Sequence, residues 1–329
     1  MEHSIMGNIM AFAVPLKSQL NNNSWNNHWG NTSDVAAYDA SATHVKTLNQ
    51  FWKNRFNAIS LERNKFLDIA SGGGALLETL VKQDCILPEN LAEFYSADLS
   101  YSALHSVKSK YPLSKVLQTD CAQLPFKNES FNFIVSQFGI EYCGLSAFIE
   151  CSRVLRKDGR FIAVCHYQNG AIQTECKRNL EVLHALSDID FFAHARLAFH
   201  PKDDKTLRDL SINIDSTFRN ALSDVSDLLT RQPHTAGGQL LRLYNDTRYM
   251  YENLTRFDTS AVLQWLNKME EELINYQGRM ILMLQSSLDN LSLNKVVEAF
   301  TADGVRNVKI DVLRANRNFQ PFAWAIEIF

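Results

Sequence analysis

Three consecutive glycines, Gly72, Gly73 and Gly74, follow a short apolar run with one acid in it, Lys65-Phe66-Leu67-Asp68-Ile69-Ala70-Ser71. Such a loop leaves its backbone bare, because glycine has no Cβ and tolerates positive φ. The apolar run from Ala75 to Val81 behind it reads as a helix, whose N-terminus favours negative charge. A ligand with a carboxylate or a phosphate suits that place; a glycine loop with no ligand is the plainer alternative. Two further acids follow apolar runs, Asp98 in Ala97-Asp98-Leu99-Ser100 and Asp120 in Thr119-Asp120-Cys121-Ala122. A carboxylate at the end of the strand beside the glycine loop can accept hydrogen bonds from both hydroxyls of a ribose. It can also simply cap the next helix. Glu141 and His166 could take a proton from a reacting group, and each is equally open to a structural role.

A dinucleotide fingerprint requires G-x-G-x-x-G, and counting from Gly72 its third position is Leu77. The phosphate loop of nucleotide hydrolases is excluded as well, since no Gly-Lys-Ser/Thr follows. What is left, Asp68-x-Ala70-x-Gly72-x-Gly74, resembles the class I S-adenosylmethionine-dependent methyltransferases, in their small-molecule, type 11-like branch. The resemblance implies that Asp68, Ala70, Gly72 and Gly74 cradle the methionine part of S-adenosylmethionine. Asp98 would hold the ribose, and Ser71 and Leu99 join the cofactor set. The stretch Asp120-Cys121-Ala122-Gln123-Leu124-Pro125-Phe126 is similar to that branch's Asp-Ala-x-x-Leu-Pro-Phe, with Cys121 for the usual Ala and Asn132 for the usual Asp of the next strand. Asp120 would then meet the adenine amino group, and Cys121 the ring through its backbone. Ser136 to Tyr142 would border the methionine and the acceptor, Gln137 on the cofactor side and Glu141 and Tyr142, with His166, as catalytic candidates. Ala37-Tyr38-Asp39 looks similar to a Tyr-Asp of the family, which gives Tyr38 a cofactor role or a plain packing one.

These residues need a sheet to carry them. Strand-like runs at 66–69, 93–100, 115–118, 131–135 and 160–165 alternate with helical stripes at 75–81, 101–110 and 145–155, with Lys157-Asp158-Gly159 as a turn. That β-α-β alternation predicts a doubly wound, mostly parallel α/β sheet. Val308 to Leu313 and Pro321 to Phe329 read as a last hairpin, completing a seven-stranded, Rossmann-like sheet with the final strand inserted between its neighbours, as the resemblance implies. A helix from Ser41, striped by Val45, Leu48, Trp52 and Phe56, precedes the first strand. The expected organisation is a polar, Asn-rich segment at 1–41, a cofactor domain at 42–168 and 289–329, and a helical insertion at 169–288. Stripes such as Leu180, Leu183 and Leu186, or Trp265, Met269 and Leu273, mark its helices as core formers. By resemblance it serves as an acceptor lid or a homodimer contact.

The chain has 329 residues, 46% of them hydrophobic, which is enough for a sizeable core. A net charge of −3 with no dense Lys/Arg block argues against a partner held chiefly by phosphate contacts. Six cysteines in no metal-ligand spacing read as reduced, buried side chains, and no metal is expected. The run from Ile9 to Leu16 is too short to span a membrane, which places the expected chain in the cytoplasm. The reading is a methyltransferase with a small-molecule acceptor. Its alternatives are an RNA or protein methyltransferase and a non-catalytic scaffold that works through the helical insertion.

Overall fold

The computed structural model describes residues 25, 28, 29, 42–59, 64–86, 93–200, 211–232, 238–302, 306–316 and 319–329. They fall into two compact units, one within residues 18–175 and 281–329 and the other within residues 176–280.

The first unit holds a seven-stranded sheet of β1 (Phe66–Ile69), β2 (Phe94–Asp98), β3 (Lys115–Gln118), β4 (Phe131–Gln137), β5 (Leu155–His166), β6 (Val308–Arg314) and β7 (Pro321–Ile328). Their spatial order is β3-β2-β1-β4-β5-β7-β6. The first five strands run parallel, and β7 enters antiparallel between β5 and β6. This is the expected doubly wound α/β sheet. The order reverses at β1, so the carboxyl ends of β1, β2 and β4 open into one crevice, the usual place for a ligand in such sheets. β1 is buried at all four positions, as a central parallel strand covered on both faces must be.

In chain order the helices are α1 (Ala42–Phe56), α2 (Ala75–Lys82), α3 (Tyr101–Lys110), α4 (Leu145–Val154), α5 (Ala171–Asp188), α6 (Phe191–Ala198), α7 (Ser211–Arg231), α8 (Gln239–Glu252), α9 (Thr259–Ser286) and α10 (Asn290–Thr301). The unit boundaries fall inside α5 and α9. One element differs from expectation. Lys157-Asp158-Gly159 does not separate α4 from the fifth strand: β5 already begins at Leu155, which pairs with Phe131, and the register then jumps so that Phe133 pairs with Arg160. The residues between are exposed up to Asp158 and leave the β4 ladder as a bulge.

The core of the first unit gathers Phe148, Phe161, Phe300 and Ile326 around the sheet. The helical unit has its own core, with Phe191, Phe218, Leu243 and Met269 at its centre and Leu183, Leu186 and Leu273 on the predicted stripes. Among the described residues, no helix is long and apolar enough to cross a membrane.

Candidate active site

The glycine loop turns directly off β1. Ala70 has φ 51°, Gly72 φ 52° and Gly74 φ 85°. Gly74 starts α2 as its left-handed N-cap, with no side-chain cap, which leaves the first amides of the helix to other partners. The loop after β4 presses on it, because a Cβ at Gly139 would stand 2.5 Å from the Ala70 carbonyl oxygen. Buried Ser136 joins the two loops: its hydroxyl donates to the Ile69 carbonyl at 2.8 Å and accepts from the Ile140 amide at 3.1 Å.

Asp98 ends β2 facing the same crevice. Its Oδ2 accepts from the Gly72 amide and its Oδ1 from the Ser100 amide, both at 2.8 Å. The helix cap is a different residue, Ser100, whose hydroxyl accepts from the Ala103 amide at 3.2 Å. A carboxylate has about four acceptor sites, so both oxygens keep capacity for a diol. Burial pushes the Asp98 carboxyl up, and the amides of Ser100, Gly72 and Leu99 draw it back. Asp68 differs: it is 1% exposed, and burial, aided by the charge of Asp98, holds it well above the usual carboxylate range. Such an acid keeps its proton where an exposed one has lost it.

On the other side of the crevice, Asp120 is exposed and its Oδ1 accepts from the Ala122 amide at 2.9 Å, which orients the carboxylate. Gln137 accepts through Oε1 from the Trp52 indole of α1 at 2.6 Å. A short 3-10 turn, Ile140–Cys143, carries Glu141 and Tyr142. Glu141 is buried and its Oε1 lies 2.7 Å from Nδ1 of His166, at the end of β5, while also accepting the His166 amide at 2.9 Å. Trp25 and Trp29 stack at 6.5 Å, Trp25 meets Tyr142 edge-on at 5.4 Å, and Trp29 covers Gly72.

These groups enclose a cavity of about 500 Å3, within the usual range for small-molecule sites. Ala70, Ser71, Gly72, Asp98, Leu99, Asp120, Cys121, Gln137, Tyr142 and His166 line it. Of the other residues named from sequence, Gly74 shapes the turn, Asp68 lies buried in β1, and Glu141 stands behind His166 without reaching the wall. Tyr38 lies outside the described residues. The wall also includes Leu48, Phe138, Met283 and the indoles of Trp25 and Trp29. The two tryptophans lie in the Asn-rich segment, where nothing local in the sequence ties them to Gly72. Among the described residues, no group of three or more His, Cys, Asp or Glu side chains could hold a metal ion.

Residues 67–163 match the family model described as "Methyltransferase domain". The chain carries a class I, S-adenosylmethionine-dependent methyltransferase domain. Its matched segment runs from β1 into β5 and so includes every cofactor candidate except Tyr38. A stretch of the chain is 26% identical over 102 residues to a ubiquinone/menaquinone biosynthesis C-methyltransferase, UbiE, of Campylobacter jejuni, and the match covers 30% of this chain and 43% of that one. A Methanococcus maripaludis structure classed with the S-adenosylmethionine-dependent methyltransferases covers 87% of the chain and 86% of its own at 13% identity and TM-score 0.40. An S-adenosylmethionine-dependent methyltransferase of Mesorhizobium loti covers 35% of the chain and 52% of its own at 16% identity and TM-score 0.29. At those scores the two structural likenesses carry no functional argument. S-adenosylmethionine is the cofactor of the methyltransferase domain, and the site fits it in kind: a bare backbone cradle, two carboxylates at strand ends and a crevice of suitable volume.

Proposed function

We propose that the chain is an enzyme that transfers a methyl group from S-adenosylmethionine to a small-molecule acceptor. One observation carries the reading: the four sequence segments that resemble the methyltransferase motifs all border one cavity at the carboxyl ends of the sheet. In this reading Ala70, Ser71 and Gly72 receive the methionine part, Asp98 and Leu99 the ribose, and Asp120 and Cys121 the adenine. Gln137, fixed by Trp52, borders the methionine. Gly74 acts indirectly, by giving the loop its turn.

Methyl transfer from a sulfonium is an in-line displacement, so alignment of acceptor and methyl with exclusion of water supplies much of the catalysis. The cavity's aromatic and aliphatic walls and its limited volume support a small acceptor. The matched relative's role in ubiquinone and menaquinone biosynthesis agrees with that class. Six free cysteines support a cytoplasmic location.

Calorimetric titration with S-adenosylmethionine and S-adenosylhomocysteine tests the reading. Wild type binds both and Asp98→Ala binds them about 30-fold more weakly; an acceptor screen read by S-adenosylhomocysteine release then identifies the substrate. Absence of binding to either ligand by wild type would overturn the proposal.

A further inference from the structure

The Glu141 and His166 side chains form a pair almost closed to solvent, and His166 is its member that borders the cavity. His166 is 1% exposed and Glu141 5%. With the Glu141 carboxylate 2.7 Å from Nδ1, the ring proton sits on Nδ1 and the lone pair on Nε2, the tautomer that such a contact selects. Nε2 has no hydrogen-bond partner, although His166 lines the cavity. A buried polar atom left without a partner calls for an explanation, and an acceptor's hydroxyl would provide one.

The surroundings say which hydroxyl. Phe138 lies 4.5 Å from the imidazole at 35°, and Tyr142 meets it edge-on at 5.7 Å. Leu48 and Met283 extend the apolar wall. Among the described lining residues Lys82 is the one lysine or arginine, and it pairs with Glu78 one turn back on α2. The described wall therefore offers an anionic acceptor no free cation, and the rings around His166 suit an uncharged aromatic one. A ring hydroxyl gives up its proton to a base far more readily than an aliphatic alcohol does, which favours a phenolic oxygen.

We propose that His166 is the catalytic base of this site, that Glu141 is its positioning residue, and that the acceptor is a neutral aromatic molecule methylated on a phenolic oxygen. The inference rests on the methyltransferase reading above. In the step, Nε2 takes the hydroxyl proton as the oxygen's electron pair forms the bond to the methyl carbon. The carbon-sulfur bond breaks with its pair going to sulfur, so the sulfonium leaves as a neutral thioether. The imidazolium is held by the Glu141 carboxylate until it returns the proton to solvent. The other titratable groups facing the pair are Cys165 on β5 and Tyr142 and Cys143 on the 3-10 turn, with Asp98 and Asp120 on the cavity wall. Burial, and then the Glu141 carboxylate, keep the Cys165 thiol well above its ordinary range, so it faces Glu141 as a neutral group.

The probe is 4-nitrophenol, whose phenolate absorbs visible light. It is titrated with pH on the full chain, with and without S-adenosylhomocysteine, and on His166→Gln and Glu141→Gln. Proton transfer to His166 lets the bound phenol ionise at lower pH than the free one, by about one unit. His166→Gln abolishes that shift and Glu141→Gln removes most of it, while both variants bind S-adenosylhomocysteine as wild type does, which shows that they are folded. A bound probe that titrates like the free one, a probe that does not bind, or a shift that survives in His166→Gln would each overturn the inference. Failure of wild type to bind S-adenosylhomocysteine would instead sink the methyltransferase reading, and the titration without that ligand still reports on His166 by itself.

Discussion

The amide of Gly72 donates to Oδ2 of Asp98 at 2.8 Å, so a single carboxylate ties the glycine loop of β1 to the end of β2. In the proposed function the same group also serves the ligand. Asp98→Ala removes the brace and the charged acceptor together, and charge-assisted hydrogen bonds contribute about 2 kcal/mol or more. S-adenosylhomocysteine affinity is expected to fall by about 30-fold, since 1.4 kcal/mol is a factor of ten. Asp98→Asn keeps an oxygen for Gly72 and falls less. Calorimetry on both variants checks the order.

Gly72 is intolerant of a side chain for two separable reasons. Its φ of 52° disfavours L-residues, and a Cβ there would stand 2.6 Å from Cζ2 of Trp29. The first term costs about 1 kcal/mol. Gly72→Ala is therefore expected to lower both thermal stability and cofactor affinity. Adding Trp29→Ala relieves the contact but not the backbone strain, so the double variant recovers only part of the stability. Full recovery in a melting experiment would show that the backbone term is negligible.

Asp68 predicts an unusual pH dependence. Burial, with the charge of Asp98 behind it, raises its folded value well above the ordinary one. The folded chain then holds a proton that the unfolded chain has released. Its contribution to stability is whole below the unfolded value, near 4, and declines as pH rises toward the folded value. Asp68→Asn has no such proton to lose. Denaturant melts across that window should show wild type losing stability relative to the variant as pH rises. The variant should bind S-adenosylhomocysteine normally, because Asp68 does not reach the cavity; loss of binding would restore the cofactor role that the resemblance implies.

Arg55 on α1 donates to Oε1 of Glu327 on β7 through its Nε and one terminal nitrogen, at 3.1 and 2.7 Å. Glu327 is 7% exposed. Arg55 also has Asp311 at 3.8 Å and Glu327 has Lys309 at 3.9 Å, so removing one partner weakens the other's pairing without stranding it, and the loss falls below the roughly 3 kcal/mol of an isolated buried pair. Glu327→Ala is expected to show that loss in chemical denaturation. Arg55→Met with Glu327→Leu should regain most of it, because two apolar side chains leave no uncompensated charge.

The glycine loop, the acids that end β2 and follow β3, and the α/β alternation were legible because each is local. A strand, a tight turn and a helix occupy a dozen neighbouring residues, and their pattern is set by burial period and glycine freedom. Gln137 was named by resemblance, but its anchor is Trp52, 85 residues earlier. Glu141 and His166 were each visible as possible bases, but their pairing was not, because 25 residues, a helix and most of a strand separate them. The bulge at 156–159 escaped for a related reason: Lys157-Asp158-Gly159 has turn chemistry, and only the pairing of Leu155 with Phe131 makes the strand begin before it.

Local signals along the chain set the order of its strands and helices and the small group of residues that could face a nucleoside-bearing ligand. Local propensity and hydrophobic period act over one or two elements, and that is the reach of those features. Tertiary structure alone decided which of the acids meet the cavity. Placing β1 between β2 and β4 buries Asp68 and holds its proton, while the turn after β2 brings Asp98 to the wall. The same packing closes Glu141 behind His166, because solvent exclusion and the contact of two strand ends arise only when the whole sheet has formed.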